Sequence, residues 1–180
     1  MFGDQFEACE RLAARAARAL GLETGIAFPQ LIAARDGRVV VVECGARVAG
    51  GQMADVVRHA VGVDLLEVAV RVALGEALPD ELVHARFHQP LAVRFLTAAP
   101  GPLPLGRVRR VGSLQPVLAA PGVVQADSYL VPGEVIRPVR LDGDRRGYVI
   151  AVAPTNLEAL DRAEAAACLL DVEVEPVVPR

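Results

Sequence analysis

The chain contains no lysine and no tryptophan: its 19 basic residues are all arginine, set against 22 aspartates and glutamates for a formal net charge of -3. Without lysine there is no ammonium group for a Schiff base or for the usual lysine contact to ATP phosphates, which disfavours a self-contained kinase or P-loop NTPase. Basic residues form no long run, and aromatics make up only 4% of the chain. No electrostatic track for DNA or RNA and no polybasic membrane patch results, so neither nucleic acid nor membrane is an expected partner. Long apolar runs are also missing. The stretch 65–74 carries Glu67 and Arg71, and 39–42 is far too short to span a bilayer. The three cysteines, Cys9, Cys44 and Cys168, are odd in number and widely spaced, which argues against a disulfide framework or a cysteine zinc site. No charged-then-apolar leader opens the sequence. A reduced cytoplasmic protein is therefore expected.

What is present is 53% hydrophobic and 23% charged content over 180 residues, enough for one or two compact domains. Asp4 stands three residues before Glu7, a capping-box signature, and Phe6, Cys9, Ala13, Ala17 and Leu20 recur at helical spacing up to Gly21. This predicts an amphipathic helix with Arg11, Arg15 and Arg18 on its solvated face. Two β-prone runs, 25–35 and 38–43, flank Asp36-Gly37, a strong short hairpin signal. If those two residues form the whole loop, Arg35 faces Arg38 and Gln30 falls directly opposite Glu43. Opposed residues share one face of the sheet with Cβ atoms about 5 Å apart. Two oxygen-bearing side chains are thus expected to point at one spot.

After the turn at Gly50-Gly51 the pattern predicts a helix over 53–60 that ends near Gly62, then a second capping box, Asp64 with Glu67, opening a helix to Gly75 that reads as buried. A proline-containing connector at 76–88 separates this part from strand-like runs at 91–96, 108–111, 123–130 and 135–141. The chain closes with a strand at 147–153, a helix from Thr155 through 170, and a strand at 172–177. The class is α+β in two parts, 1–85 and 86–180.

Gln30, Glu43 and Arg47 form the constellation with chemical content. A carboxylate and an amide carbonyl are hard oxygen donors that suit Mg²⁺, which keeps several waters and completes its sphere with substrate phosphates. An arginine in the following turn can place its planar fork on a phosphate or on a phosphoryl group in transfer. The plainer alternative is that a glutamine opposite a glutamate, and an arginine in a glycine-rich turn, are simply solvated. Elsewhere the plain reading is preferred: His59 as a structural helix residue, His84 and His88 as no metal pair given Pro79 and Pro90, and Cys44 as an inert small hydrophobe. Arg107, Arg109 and Arg110 are expected along a solvated strand edge.

The run Gly25-Ile26-Ala27-Phe28-Pro29-Gln30-Leu31-Ile32, then Asp36-Gly37, Val40-Val41-Val42-Glu43-Cys44-Gly45-Ala46-Arg47, Gly50-Gly51, and Ala60-Val61-Gly62-Val63-Asp64-Leu65 with Ala73-Leu74-Gly75 resembles the C-terminal lobe of ATP-grasp ligases. The resemblance implies an antiparallel sheet with helices. Two strands of that lobe would carry metal ligands, a Glu or Gln first and a Glu second, ahead of a Glu-x-Asn-x-Arg element. By position it implies Gln30 and Glu43 as Mg²⁺ ligands and Arg47 as the catalytic, phosphate-binding residue. Gly45 stands where that element has its Asn, so one side-chain ligand is missing.

The second half is similar to the small β-rich α+β module that follows this lobe in ligases of the L-amino-acid ligase type. Its cues are Val93-Arg94-Phe95-Leu96, Pro100-Gly101, Gly106, Gly112, Pro121-Gly122-Val123, Arg146-Gly147-Tyr148-Val149-Ile150-Ala151, Thr155 and Glu158-Ala159.

Such enzymes use ATP with Mg²⁺, Mn²⁺ being an allowed substitute, to join a small carboxylate to an amine through an acyl phosphate. The lysine-bearing lobe that grips the nucleotide is expected from a partner chain or from a missing N-terminal region, and without it the chain is expected to be inactive. Alternatives are a non-catalytic scaffold or assembly module, half of a split ligase, or a piece of a longer enzyme; a homodimer is left open.

Overall fold

The computed structural model describes residues 3–177, and these fall into two compact units that divide between Arg86 and Phe87. In the first unit, helix α1 (Gly3–Ala19) precedes strands β1 (Phe28–Ala33) and β2 (Val39–Gly45) and helices α2 (Met53–Val61), α3 (Leu65–Ala73) and α4 (Asp80–Val83). Helix α1 starts upstream of Asp4, whose side chain lies outside the described residues. The predicted stripe is only partly covered: Cys9, Ala13 and Ala17 are half-buried, while Phe6 and Leu20 stand in solvent. Gly21 ends the helix with φ +80°, and the Leu22 amide reaches back to the Ala17 carbonyl at 3.1 Å.

The hairpin differs from the expected one in an instructive way. Its loop has three residues, Arg35, Asp36 and Gly37: Ala34 N–H donates to Arg38 O at 2.7 Å, and Gly37 N–H to Ala34 O at 3.1 Å. A two-residue type I′ turn needs positive φ at both central positions. Here only Gly37 takes it, at φ +84°, while the Asp36 carboxylate accepts from Arg38 N–H at 3.1 Å and Arg38 Nε at 2.7 Å. The longer loop shifts the pairing to Ala33 with Val39 and Leu31 with Val41, and a bulge then restores Gln30 opposite Glu43. Two departures of one residue cancel.

Gly62, with φ +80°, closes α2, and Asp64 caps α3 by accepting from Leu66 N–H at 3.0 Å and Glu67 N–H at 3.1 Å. The capping box is only half formed, because the Glu67 carboxylate accepts instead from Arg71 Nε at 3.0 Å. Helix α3 is not the buried helix expected: Val68 is covered, but Leu66, Val70 and Leu74, one face at i, i+4 and i+8, are 58%, 59% and 68% exposed. The proline-containing connector holds the single-turn α4. At its end Arg86 is tied to the α2–α3 turn, its amide donating to Val61 O at 2.9 Å and its guanidinium to Gly62 O.

The second unit contains β3 (Leu91–Phe95), β4 (Gly106–Val111), α5 (Gln115–Leu118), β5 (Val123–Ser128), β6 (Val135–Ile136), β7 (Gly147–Val152), α6 (Asn156–Ala167) and β8 (Val172–Glu175). Two antiparallel three-stranded sheets form, ordered β3-β7-β5 and β6-β4-β8. Central strand β7 reads as a continuous apolar run because both its faces are covered: Val149 and Ile150 point to opposite faces and neither is exposed. Helix α6 closes on β3 and β7 through a face of small residues, Ala159, Ala163, Ala166 and Ala167, all buried. Thr155 caps it, accepting from Glu158 N–H at 3.2 Å.

Strand β4 is central, not an edge. Its arginines face acidic residues of β8 or the neighbouring loop: Arg110 Nε donates to Glu173 at 2.9 Å, Arg109 lies 3.8 Å from Glu175, and Arg107 Nη1 donates to Gly133 O at 2.7 Å. The Glu173 and Asp171 carboxylates raise the Arg110 guanidinium above its ordinary value. Strand β6 is only two residues long, because Pro138 cannot extend the ladder. The Asp144 carboxylate instead folds that segment into a turn, accepting from Arg140 N–H at 2.9 Å and Leu141 N–H at 3.1 Å.

Candidate metal and phosphate site

Helix α1 lies against one face of the β1–β2 hairpin, where Ala17, Leu20, Leu22, Cys44 and Ala46 line a shallow cleft of about 260 Å³. Alternation along the strands sends Phe28 and Gln30 of β1, with Glu43 and Gly45 of β2, to the opposite face. That face is open: Gln30, Glu43 and Arg47 are all exposed. Gln30 Nε2 donates to Glu43 Oε1 at 2.7 Å, so the two side chains meet over one point of the sheet. Phe28 pairs with Gly45 on the next rung of the same face, roughly 7 Å along the strand.

Arg47 lies beyond the end of β2 and turns back over that rung. Its guanidinium carbon sits 5.7 Å from the centroid of the Phe28 ring, and its Nη1 donates to the Val48 carbonyl at 3.1 Å. Gly45 leaves room for the side chain: a Cβ there would lie 3.5 Å from both Cγ and Nε of Arg47. The three residues picked from the sequence therefore share one face of one hairpin.

Phe28 was not among them. The signal was available, since the register that opposes Gln30 to Glu43 also opposes Phe28 to Gly45.

The donor set fits Mg²⁺ in one particular way. A carboxylate and an amide carbonyl are suitable hard ligands, but among the described residues no three His, Cys, Asp or Glu side chains gather into a metal-binding group. Two protein oxygen donors would leave most of the coordination sphere of a Mg²⁺ ion to water and phosphate oxygens. Helix α2 follows, with Gly51 at φ +64° in the turn before it. Among the described residues no helix is long and apolar enough to cross a membrane.

Two family models match the chain in succession: the ATP-binding domain of the carbamoyl-phosphate synthase L chain over residues 2–81, and L-amino acid ligase C-terminal domain 2 over 94–175. Together the two matches make the chain similar to ATP-grasp ligases over both of its units. The first match takes in the hairpin that carries Gln30 and Glu43, and the second covers most of the second unit.

An uncharacterized protein of Sinorhizobium fredii, y4rH, is 30% identical over 178 residues, spanning 96% of this chain and 34% of that protein. L-amino acid ligase from Bacillus licheniformis shares the fold with TM-score 0.71 at 20% identity, over 92% of this chain and 43% of that one. The biotin carboxylase domain of Hydrogenobacter thermophilus 2-oxoglutarate carboxylase, solved as a dimer with MgADP, ADP and bicarbonate, gives TM-score 0.64 at 20% identity over 96% and 37%. The chain thus spans less than half the length of each of these three proteins.

Proposed function

We propose that this chain supplies the metal- and phosphate-binding hairpin of an ATP-dependent carboxylate–amine ligase that works through an acyl phosphate. The observation that carries this reading is the meeting of Gln30 and Glu43 on an open sheet face with Arg47 one rung away. Glu43 and the Gln30 carbonyl would hold Mg²⁺, which when bound screens the charge of the nucleotide's phosphates. Arg47, held beside the pair, presents guanidinium N–H groups to the phosphoryl oxygens as charge spreads over them.

In the first step a substrate carboxylate oxygen bonds to the γ-phosphorus, the bridging P–O bond breaks, and ADP leaves. In the second, an amine forms a C–N bond to the acyl carbon, phosphate departs with the C–O electron pair, and the amine loses a proton. The ligase type is supported by the similarity to L-amino acid ligase C-terminal domain 2, and a magnesium nucleotide is in keeping with the MgADP bound in the biotin carboxylase domain of similar fold. The free thiols Cys9, Cys44 and Cys168 suit a reducing cytoplasm.

Mg-ATP is expected to raise the melting temperature of the chain, and Gln30→Ala or Glu43→Ala to remove the rise. No rise in the unmodified chain at millimolar nucleotide would sink the reading.

A second reading, a scaffold or the incomplete part of a split ligase, is favoured by Gly45 in place of the third oxygen ligand and by apolar Ile32 and Val40 left 54% and 47% exposed on the same sheet face. Under it a partner chain co-purifies, and nucleotide binds only to the pair.

A further inference from the structure

We propose that Phe28 is a positioning residue for Arg47, and that Gly45 is what allows it to act. The inference rests on the metal and phosphate reading of the hairpin. An arginine in an exposed turn samples many rotamers, and ordering it costs side-chain entropy. Here the guanidinium has three constraints: the Phe28 ring beneath it at 5.7 Å, the Val48 carbonyl accepting from Nη1 at 3.1 Å, and the bare Cα of Gly45 under its stem. The negative face of the ring attracts the cation without consuming its donors. One Nη1 hydrogen is engaged by Val48, which leaves the remaining N–H groups of the fork for an anion.

Gly45 completes the arrangement. A Cβ at this position would already be in van der Waals contact with Arg47, 3.5 Å from Cγ and Nε and 3.9 Å from Cζ, so a longer side chain would compete with the guanidinium for this face. The guanidinium thus lies over the backbone that glycine leaves bare. This chain has an aromatic-seated arginine where a third oxygen ligand would otherwise project, so the anion contact is prearranged and the metal contact is lean.

The test uses the full chain with Phe28→Leu, Phe28→Trp, Gly45→Asn and Arg47→Ala, and three readouts: NMR shifts of the Arg47 side-chain protons, affinity for inorganic tripolyphosphate, and affinity for Mn²⁺ alone. Ring-current shielding of the Arg47 protons is expected in the wild type and in Phe28→Trp, and is lost in Phe28→Leu and Gly45→Asn. Tripolyphosphate affinity is expected to fall about two- to fivefold in Phe28→Leu, the size of one exposed cation–π contact, and to recover in Phe28→Trp. Mn²⁺ affinity stays within twofold of wild type in Phe28→Leu, roughly the spread of a substitution away from the ligands.

Unshielded Arg47 protons in the wild type overturn the inference. Equal loss of Mn²⁺ and tripolyphosphate affinity in Phe28→Leu does so too, since it marks general damage to the hairpin. If the wild type binds both probes and Phe28→Leu matches it throughout, the inference alone fails. If the wild type binds neither probe, or Arg47→Ala leaves tripolyphosphate affinity untouched, the underlying site reading fails.

Discussion

The two units of the chain solve the problem of burial very differently. Among the described residues, the first buries only Val63 and Val68 of its large apolar side chains, while Leu20, Ile32, Val42, Leu66, Val70 and Leu74 are all more than half exposed. The second packs Leu96, Val108, Val117, Val149 and Ile150 to 2% exposure or less. Both are rich in apolar residues, so composition does not separate them. Layers do: β7 is covered on both faces, whereas the β1–β2 hairpin has α1 on one face and the candidate site on the other. The unit with the candidate chemistry is thus the one with little core of its own, as is common for regions that bind and move.

The largest expected effect breaks or upholds this contrast directly. Leu96→Ala removes a side chain 1% exposed from the core of the second unit and should cost about 2–5 kcal/mol. Leu74→Ala, at a site 68% exposed, should change stability by no more than about 0.5 kcal/mol. Urea unfolding of the two variants measures both, and equal losses would show that the first unit has a core after all.

Glycine sharpens the same comparison. An added Cβ at Gly147, where φ is +142°, would stand 2.2 Å from the Asp127 carbonyl, whereas at Gly37, with φ +84°, it meets nothing within 4 Å. Gly147→Ala should therefore destabilise the second unit by more than the roughly 1 kcal/mol that backbone strain alone costs at Gly37→Ala. Parallel melts that rank them the other way would remove the close-packing argument for β7.

A smaller effect belongs to the first unit. Asp64→Ala deprives Leu66 and Glu67 amides of their acceptor and should cost about 1 kcal/mol, read as faster amide exchange in α3 while α6 is unchanged.

The smallest is a pH effect. Hydrogen bonds from the Arg140 and then the Leu141 amide hold the Asp144 carboxyl below its ordinary range. A depressed carboxyl contributes stability above its unfolded pKa and loses it as pH falls through the folded value. Acidification below the ordinary carboxylate range should therefore shift the Arg140 and Leu141 amide resonances, and Asp144→Asn should flatten that titration. Resonances that stay unchanged well below that range would show that the turn does not depend on the carboxylate.

Local signals were legible where local physics decides. Gly21 and Gly62 mark helix ends because only a residue without Cβ takes left-handed φ cheaply, and Asp64 and Thr155 mark helix starts because their side chains accept orphan amides. The Gln30–Glu43 pairing was legible as well, although by an argument that missed two compensating features, the third loop residue and the bulge. Neither could be read from residue types, because turn length and bulge position depend on how the two whole strands pair. The burial of α3 was misjudged for a related reason: its pattern is apolar on nearly every side, and periodicity alone does not say which sides find a partner. Arg107, Arg109 and Arg110 looked like an edge because charge usually marks one, yet acidic residues of β8, more than sixty positions away, answer all three.

The sequence by itself determined most of the element types, the opposition of Gln30 to Glu43 and the superfamily resemblance, since these depend on spacing, turn chemistry and ordered motifs within short stretches. Only the tertiary structure decided that β7 and β4 are central strands and that the second unit holds nearly all of the described core. It also seated the Arg47 guanidinium over Phe28 in the space left by Gly45. Those outcomes rest on which surfaces meet and on contacts between residues far apart in the chain, and no local pattern encodes them.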